Sequence, residues 1–173
     1  MSAIDEVFAA NEQFARDFAH FGLHHRPSRK LAVVACMDCR INVEVALGLK
    51  PGEAHIIRNA GGIVTEDVLR SLICSQYLLG TEEFMVINHT ECGMMGFRDE
   101  DLREELERRT GVATVVPAHF HSFSDLETNV RRQVKKIRSH PWLPSGIAVR
   151  GFVYDVRTGR LNEVQVRELH AAG

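Results

Sequence analysis

Cys36, Asp38, Cys39 and Arg40 fall within five positions of one another in VVACMDCRINVE, residues 33–44. Farther along, NHTECGM offers His89 and Cys92 as an H-x-x-C pair, a spacing that lets both side chains reach one ion across a tight loop. Cys36, His89 and Cys92 together make three ligands suited to zinc, with a fourth position open. Two thiolates make such a site too soft for magnesium or calcium. The fourth group decides between a scaffold and a catalyst. Cys39 in that position would close a ribbon-like structural site, but the Cys36-x-x-Cys39 pair leaves a strand without the knuckle glycines such ribbons tend to have. A dithiol redox reading of the same pair lacks the helix start that lowers a thiol pKa in such motifs, and it leaves His89 and Cys92 idle. The alternation Cys36-x-Asp38-x-Arg40 accounts for more residues, as ligand, gate or proton acceptor, and clamp.

The elements that must bring these groups together can be read from hydrophobic pattern. LAVVACM (31–37) is a continuous apolar, β-branched run, expected of a strand covered on both faces. AHIIRNAGG (54–62) is a second strand ending in glycines, and EEFMVINHTECG (82–93) a third. A helix is expected from Thr65, a plausible N-cap, to Gly80. Residues 3–20 suggest a moderately amphipathic helix, with Ile4, Val7, Phe8, Phe14 and Phe18 among charges. HFGLHHRPSRK then reads as a connector, so residues 1–28 form an N-terminal arm on a single 1–173 domain. Residues 99–109 and 124–139 are expected as charged surface helices, and 147–166 as a closing strand or hairpin about a T-G turn. Strands alternating with helices predict an α/β domain with a mainly parallel central sheet. Ligands collect at the carboxyl ends of such strands. Cys36 ends the first strand and His89 the third, so both point to one sheet edge.

Composition sets the frame. Lys and Arg number 21 against 23 Asp and Glu in 173 residues, so no bulk field favours nucleic acid or an anionic membrane. LAVVACM is far too short to span a bilayer, and the acidic start MSAIDEVFAANEQF is unlike a signal peptide. Four cysteines in that context point to reduced thiols in the cytoplasm, where a cysteine cluster is metal-binding or catalytic.

Cys36-x-Asp38-x-Arg40 followed by His89-x-x-Cys92-Gly93 resembles the β-class carbonic anhydrases. The resemblance extends over roughly residues 30–166, through GEAHIIRNAGG, RSLICSQYLLGTEEFMVINHTECGM and RGFVYDVRTGRLNEV. It implies a β-carbonic anhydrase-like fold and one Zn²⁺ per chain on Cys36, His89 and Cys92. It also implies reversible hydration of CO₂ by a zinc-bound hydroxide, with Asp38 and Arg40 as the working dyad. In some members the equivalent carboxylate closes onto zinc, so Asp38 is also a possible fourth ligand. Because two thiolates cancel the charge of the dication, activity is expected to rise from neutral towards alkaline pH. Gly61 and Gly62 of RNAGG are expected to line the substrate pocket through their backbone. The departure is Cys39, where the family usually has serine or alanine; a small buried thiol turned from the metal is expected there.

Carbonyl sulfide and carbon disulfide hydrolases belong to the same family, and the ligand motif does not separate them from anhydrases. A zinc-stabilised binding module without turnover is a further alternative, against which the intact dyad argues. The family further implies a homodimer or dimer of dimers, and the apolar stripe of residues 3–20 suits packing on a partner subunit. His24 and His25 read as surface residues, His55 as a structural histidine, and Cys74 as a small core residue. His119 and His121 alternate in a loop-like stretch. The basic run RRQVKKIR reads as a solvated helix face.

Overall fold

The computed structural model describes residues 2–19, 22–113 and 116–166. Its centre is a five-stranded sheet in the order β2-β1-β3-β4-β5. Strands β1 (Leu31–Cys36), β2 (Ala54–Asn59), β3 (Glu83–His89) and β4 (Ala148–Tyr154) run parallel, and β5 (Leu161–Val164) returns antiparallel along β4. The α/β expectation holds, including the closing hairpin.

Side chains of β1 alternate between two cores, as pleating requires. Ala32 and Val34 join Phe84 and Val86 of β3 on one face, under helices α3 (Glu66–Tyr77) and α5 (Leu126–Arg138). Val33 and Ala35 join Ile87 on the other face, with Ile41, Val43 and the five-residue helix α2 (Val43–Leu47). That second face is the thinner, and Ile56, Met85, Phe152, Tyr154 and Leu161 are only partly buried on it. Helix α2 escaped the sequence reading because five residues carry no period. Asn42 caps it through its Oδ1, and Gly48, with φ +63°, ends it.

Thr65 caps α3 as expected, its side chain accepting the Val68 N–H. Helix α5 corrects the expectation of a charged surface helix. Asn129, Val130, Gln133, Val134 and Ile137 are buried against β3 and β4, while the lysines and arginines of RRQVKKIR lie on the other side or at the margin. The approach is close: a Cβ on Gly151 of β4 would lie 2.4 Å from Val130 Cγ1. Helix α4 (Asp99–Thr110) does stay on the surface, with no buried residue. Helix α1 (Ala3–Arg16) opens with a capping box between Ser2 and Asp5 and buries none of its residues. Ile4, Val7, Phe8 and Phe14 remain more than half exposed. It is shorter than the 3–20 expected.

Strand order 2-1-3 means that the chain leaves β1 on one side and returns on the other, placing a crevice at the carboxyl ends of β1 and β3. Cys36 and His89 are the last residues of those strands.

Candidate metal centre

Cys36, His89 and Cys92 converge at that crevice, all buried, with their ligand atoms within 4.8 Å of one another. His89 is 0 % exposed. Its Nδ1 lies 2.9 Å from the Thr90 carbonyl oxygen, which can only accept, so Nδ1 carries the proton and Nε2 presents a lone pair. Nε2 has no hydrogen-bond partner. A buried, unpartnered imidazole nitrogen is costly unless something coordinates it, and here it sits beside two thiols.

The thiols by themselves favour one negative charge. The neighbouring Cys92 thiol, with help from the Asp38 and Gly61 backbone, holds the Cys36 thiol well below the usual thiol range against the effect of burial. The Cys36 hydrogen bond and burial push Cys92 well up. Burial works against an imidazolium at His89, but the neighbouring Cys36 thiolate outweighs it and raises its pKa. A second thiolate here calls for a cation. Two sulfurs and one imidazole nitrogen fit zinc.

Asp38 stands at the rim with its side chain 16 % exposed, Oδ2 lying 3.7 Å from His89 Nε2. Arg40 grips it in a fork: Nε donates to Oδ1 at 3.0 Å and Nη2 to Oδ2 at 2.8 Å, while the Arg40 N–H adds a third bond to Oδ1. These bonds hold the Asp38 carboxyl well below the usual carboxylate range. Arg40 is held in turn by the Glu91 carboxylate at 3.3 Å and the Glu91 carbonyl at 3.1 Å, and Arg157 pairs with the same carboxylate. From the other side, Arg58 donates to the carbonyls of Cys36 at 2.9 Å and Asp38 at 2.7 Å. The backbone that carries Cys36 and Asp38 is thereby pinned.

Gly61 and Gly62 form a turn directly behind Cys36. Both are buried, and the Gly61 N–H donates to Cys36 Sγ at 3.3 Å. Gly62, at φ +61°, has no room for a side chain: a Cβ would lie 2.9 Å from Ile87 O and 3.0 Å from Cys36 N. Asn59 closes the turn, accepting the Ile63 N–H and donating to its carbonyl. Ile63, Phe123 and Met94 pack around the two cysteines as an apolar wall. Phe123 is delivered by a loop that the Asp99 carboxylate holds through the N–H groups of Phe120, His121 and Ser122.

Sequence reasoning missed the parts of Arg58, Asn88, Glu91, Asp99 and Phe123. For Arg58 and Asn88 the available signal was a cation or an amide at the end of an apolar strand. Nothing in the sequence linked Asp99 to residues 120–122. Cys39 overturns one expectation, being exposed rather than a buried thiol. It is not among the three clustered donors. Replacing Cys39 with serine is expected to leave metal content, measured by atomic emission, unchanged; loss of metal would make Cys39 a ligand and remove Asp38 from its role. His55 is satisfied by Ser75 Oγ at 2.6 Å, as a structural histidine should be. Cys74 is only partly buried, not a core residue. His119 and His121 lie 5.9 Å apart, ring to ring, and join no metal-binding group among the described residues.

The family model described as carbonic anhydrase matches residues 31–161. Beta-carbonic anhydrase 1 of Mycobacterium bovis is 43% identical over 164 residues, covering 95% of this chain and 99% of that protein. The carbon disulfide hydrolase of Acidithiobacillus thiooxidans is 35% identical over 158 residues, covering 81% of this chain and 79% of that protein. Among solved structures, the carbonic anhydrase of Streptococcus mutans superposes with a TM-score of 0.90 at 41% identity, covering 95% of this chain and 99% of that one.

Proposed function

We propose that this chain, which belongs to the β-carbonic anhydrase family, catalyses CO₂ + H₂O ⇌ HCO₃⁻ + H⁺ at a zinc site on Cys36, His89 and Cys92. The observation that carries the proposal is the unpartnered Nε2 of buried His89, set among two thiols and beside a clamped carboxylate. Zinc bound by these three residues would supply the Lewis acidity that makes water nucleophilic near neutral pH.

The chain's own residues supply orientation. Asp38 stays ionised and accepts a hydrogen bond from the attacking water, turning its lone pair towards the substrate carbon. Arg40 fixes Asp38, and Glu91 fixes Arg40. Gly61 and Gly62 let the turn pack its backbone directly against Cys36, and Ile63 and Phe123 make the surroundings of the two cysteines apolar, which suits a small uncharged substrate. Asp38 is also the candidate fourth ligand of a closed state, which its two-point bond to Arg40 opposes.

The second reading is hydrolysis of carbonyl sulfide or carbon disulfide by the same residues, favoured by the 35% identity to a carbon disulfide hydrolase. Stopped-flow assays of CO₂ hydration and COS hydrolysis on zinc-verified protein, from about pH 6.5 to 9, separate the two. Fast CO₂ turnover that climbs with pH, with negligible COS activity, supports the anhydrase. Weak CO₂ turnover with clear COS hydrolysis moves the function to sulfur chemistry, and a flat pH profile counts against a two-thiolate site.

The assembly we propose is a homodimer or a dimer of dimers, with α1 packed on a second copy. Its apolar residues are exposed in the single chain, and the thin face of the sheet leaves partly covered apolar residues. Removing α1 is expected to give monomers by light scattering; an unchanged assembly would disprove that role. No helix among the described residues is long and apolar enough to cross a membrane. We place the reaction in the cytoplasm, where Cys36 and Cys92 stay reduced.

A further inference from the structure

Behind the metal cluster lies a closed circuit of buried side-chain amides. The Val64 N–H donates to Gln133 Oε1 at 2.9 Å, and Gln133 Nε2 donates to Asn129 Oδ1 at 2.8 Å. Asn129 Nδ2 donates to Asn88 Oδ1 at 2.8 Å, and Asn88 Nδ2 donates to the carbonyls of Gly61 at 2.8 Å and Gly62 at 3.3 Å. The three side chains are 0–2 % exposed. Asn88 is on β3 and the other two on α5, yet the circuit begins and ends on the turn 61–64. Its direction is forced. A backbone N–H at one end can only donate and the carbonyls at the other can only accept, so each amide has one orientation that satisfies its neighbours.

Three amides in a core are costly unless every one is bonded, and apolar side chains would fill the space between α5 and β3 without that risk. What the circuit does fix is Gly61. Its carbonyl is held by Asn88, and its N–H meets Cys36 Sγ at 3.3 Å. The fit leaves no slack, because a Cβ on Gly62 would lie 2.9 Å from Asn88 Nδ2. We infer that Asn88, Asn129 and Gln133 are positioning residues that hold the Gly61 N–H on the Cys36 thiolate and so set the donor strength of that metal ligand. Asn129 and Gln133 of α5 thereby act on the metal centre through Asn88 and the turn, without a hydrogen bond of their own to Cys36, His89 or Cys92. The inference rests on the zinc-site reading above.

The test uses the full chain loaded with cobalt(II), whose thiolate-to-metal charge-transfer band reports the sulfur ligands directly, alongside zinc affinity by chelator competition. Asn129→Asp keeps the shape and still accepts from Gln133 and Arg132, but it cannot donate to Asn88. Gln133→Leu breaks the circuit one residue farther out, and carries the comparison if Asn129→Asp does not fold. Val134→Ala, a neighbouring core truncation outside the circuit, is the control. Both circuit variants are expected to shift the band to lower energy, because a thiolate that loses a hydrogen bond gives up electrons more easily. They are also expected to weaken zinc binding about tenfold, because a turn no longer held by Asn88 leaves Cys36 without its fixed position, which costs more than the stronger donor gains. Val134→Ala is expected to lower the melting temperature and leave band and affinity as in the wild type. Circuit variants that melt early with band and affinity unchanged, or a control that shifts them equally, would overturn the inference. A wild-type protein with no thiolate band would instead remove the zinc-site reading.

Discussion

Replacing His89 with alanine is expected to take bound zinc from about one per chain to near zero after dialysis, and CO₂ hydration to the background rate with it. Cys92→Ser should do the same. The reason lies in how the site balances its charges. His89 supplies the one neutral donor, already oriented by the Thr90 carbonyl, and each thiol supplies an anion that the other opposes until a cation is present. With one of the three gone, neither geometry nor charge closes around the ion. Stability gives a second, independent readout. Ligand that binds only the folded state stabilises it by about 4 kcal/mol when present at about a thousand times its Kd. Zinc should therefore raise the melting temperature of the wild-type protein and leave that of His89→Ala unmoved. A variant still stabilised by zinc would mean that the ion is held elsewhere.

Asp38→Ala should behave in the opposite way towards metal. Zinc content stays as in the wild type, while kcat/KM falls by about 10²- to 10³-fold, the scale of losing a positioned proton acceptor. Arg40→Ala tests why. Arg40 holds the Asp38 pKa below its ordinary value, so the carboxylate's ionised form is kept from alkaline pH down through the normal carboxylate range and is lost only as pH falls through the depressed value. Removing the guanidinium lets that pKa return towards about 4, still far below the working range. Arg40→Ala is therefore expected to lower kcat through misorientation of Asp38, with no new acid limb above about pH 5. A loss that vanished at alkaline pH would show protonation, not orientation, to be the defect. Asp38→Ala protein that lost its zinc would place the carboxylate on the metal itself.

How far the sequence could be read depended on distance along the chain. Apolar runs with β-branched residues marked β1, β2 and β3 because strands buried on both faces need them, and Thr65 announced α3 because an N-cap acts on the next turn. Cys36, Asp38 and Arg40 could be read as a unit because residues two apart in so short a stretch can reach one another whatever its conformation, and a thiol, a carboxylate and a guanidinium have complementary chemistry. Helix α5 was misjudged because its charges are conspicuous, whereas its buried face includes Asn129 and Gln133, polar residues whose partners lie on other elements. Cys39 was misplaced because the chain turns immediately after β1, and a turn takes the next side chain out to solvent.

By itself, then, the sequence determined the sheet, the strand ends that carry Cys36 and His89, and the candidate donor set of one imidazole and two thiols, since these follow from local pattern and from the chemistry of residue types. The tertiary structure decided the rest. Glu91 behind Arg40, Arg58 across the backbone of Cys36 and Asp38, Asp99 under the loop bearing Phe123, and the amides that tie Gly61 to α5 are contacts between segments 20 to 69 residues apart in the chain. A hydrogen bond depends on positions within a few tenths of an ångström, and only the packing of α5 and β3 around the turn 59–64 sets those positions.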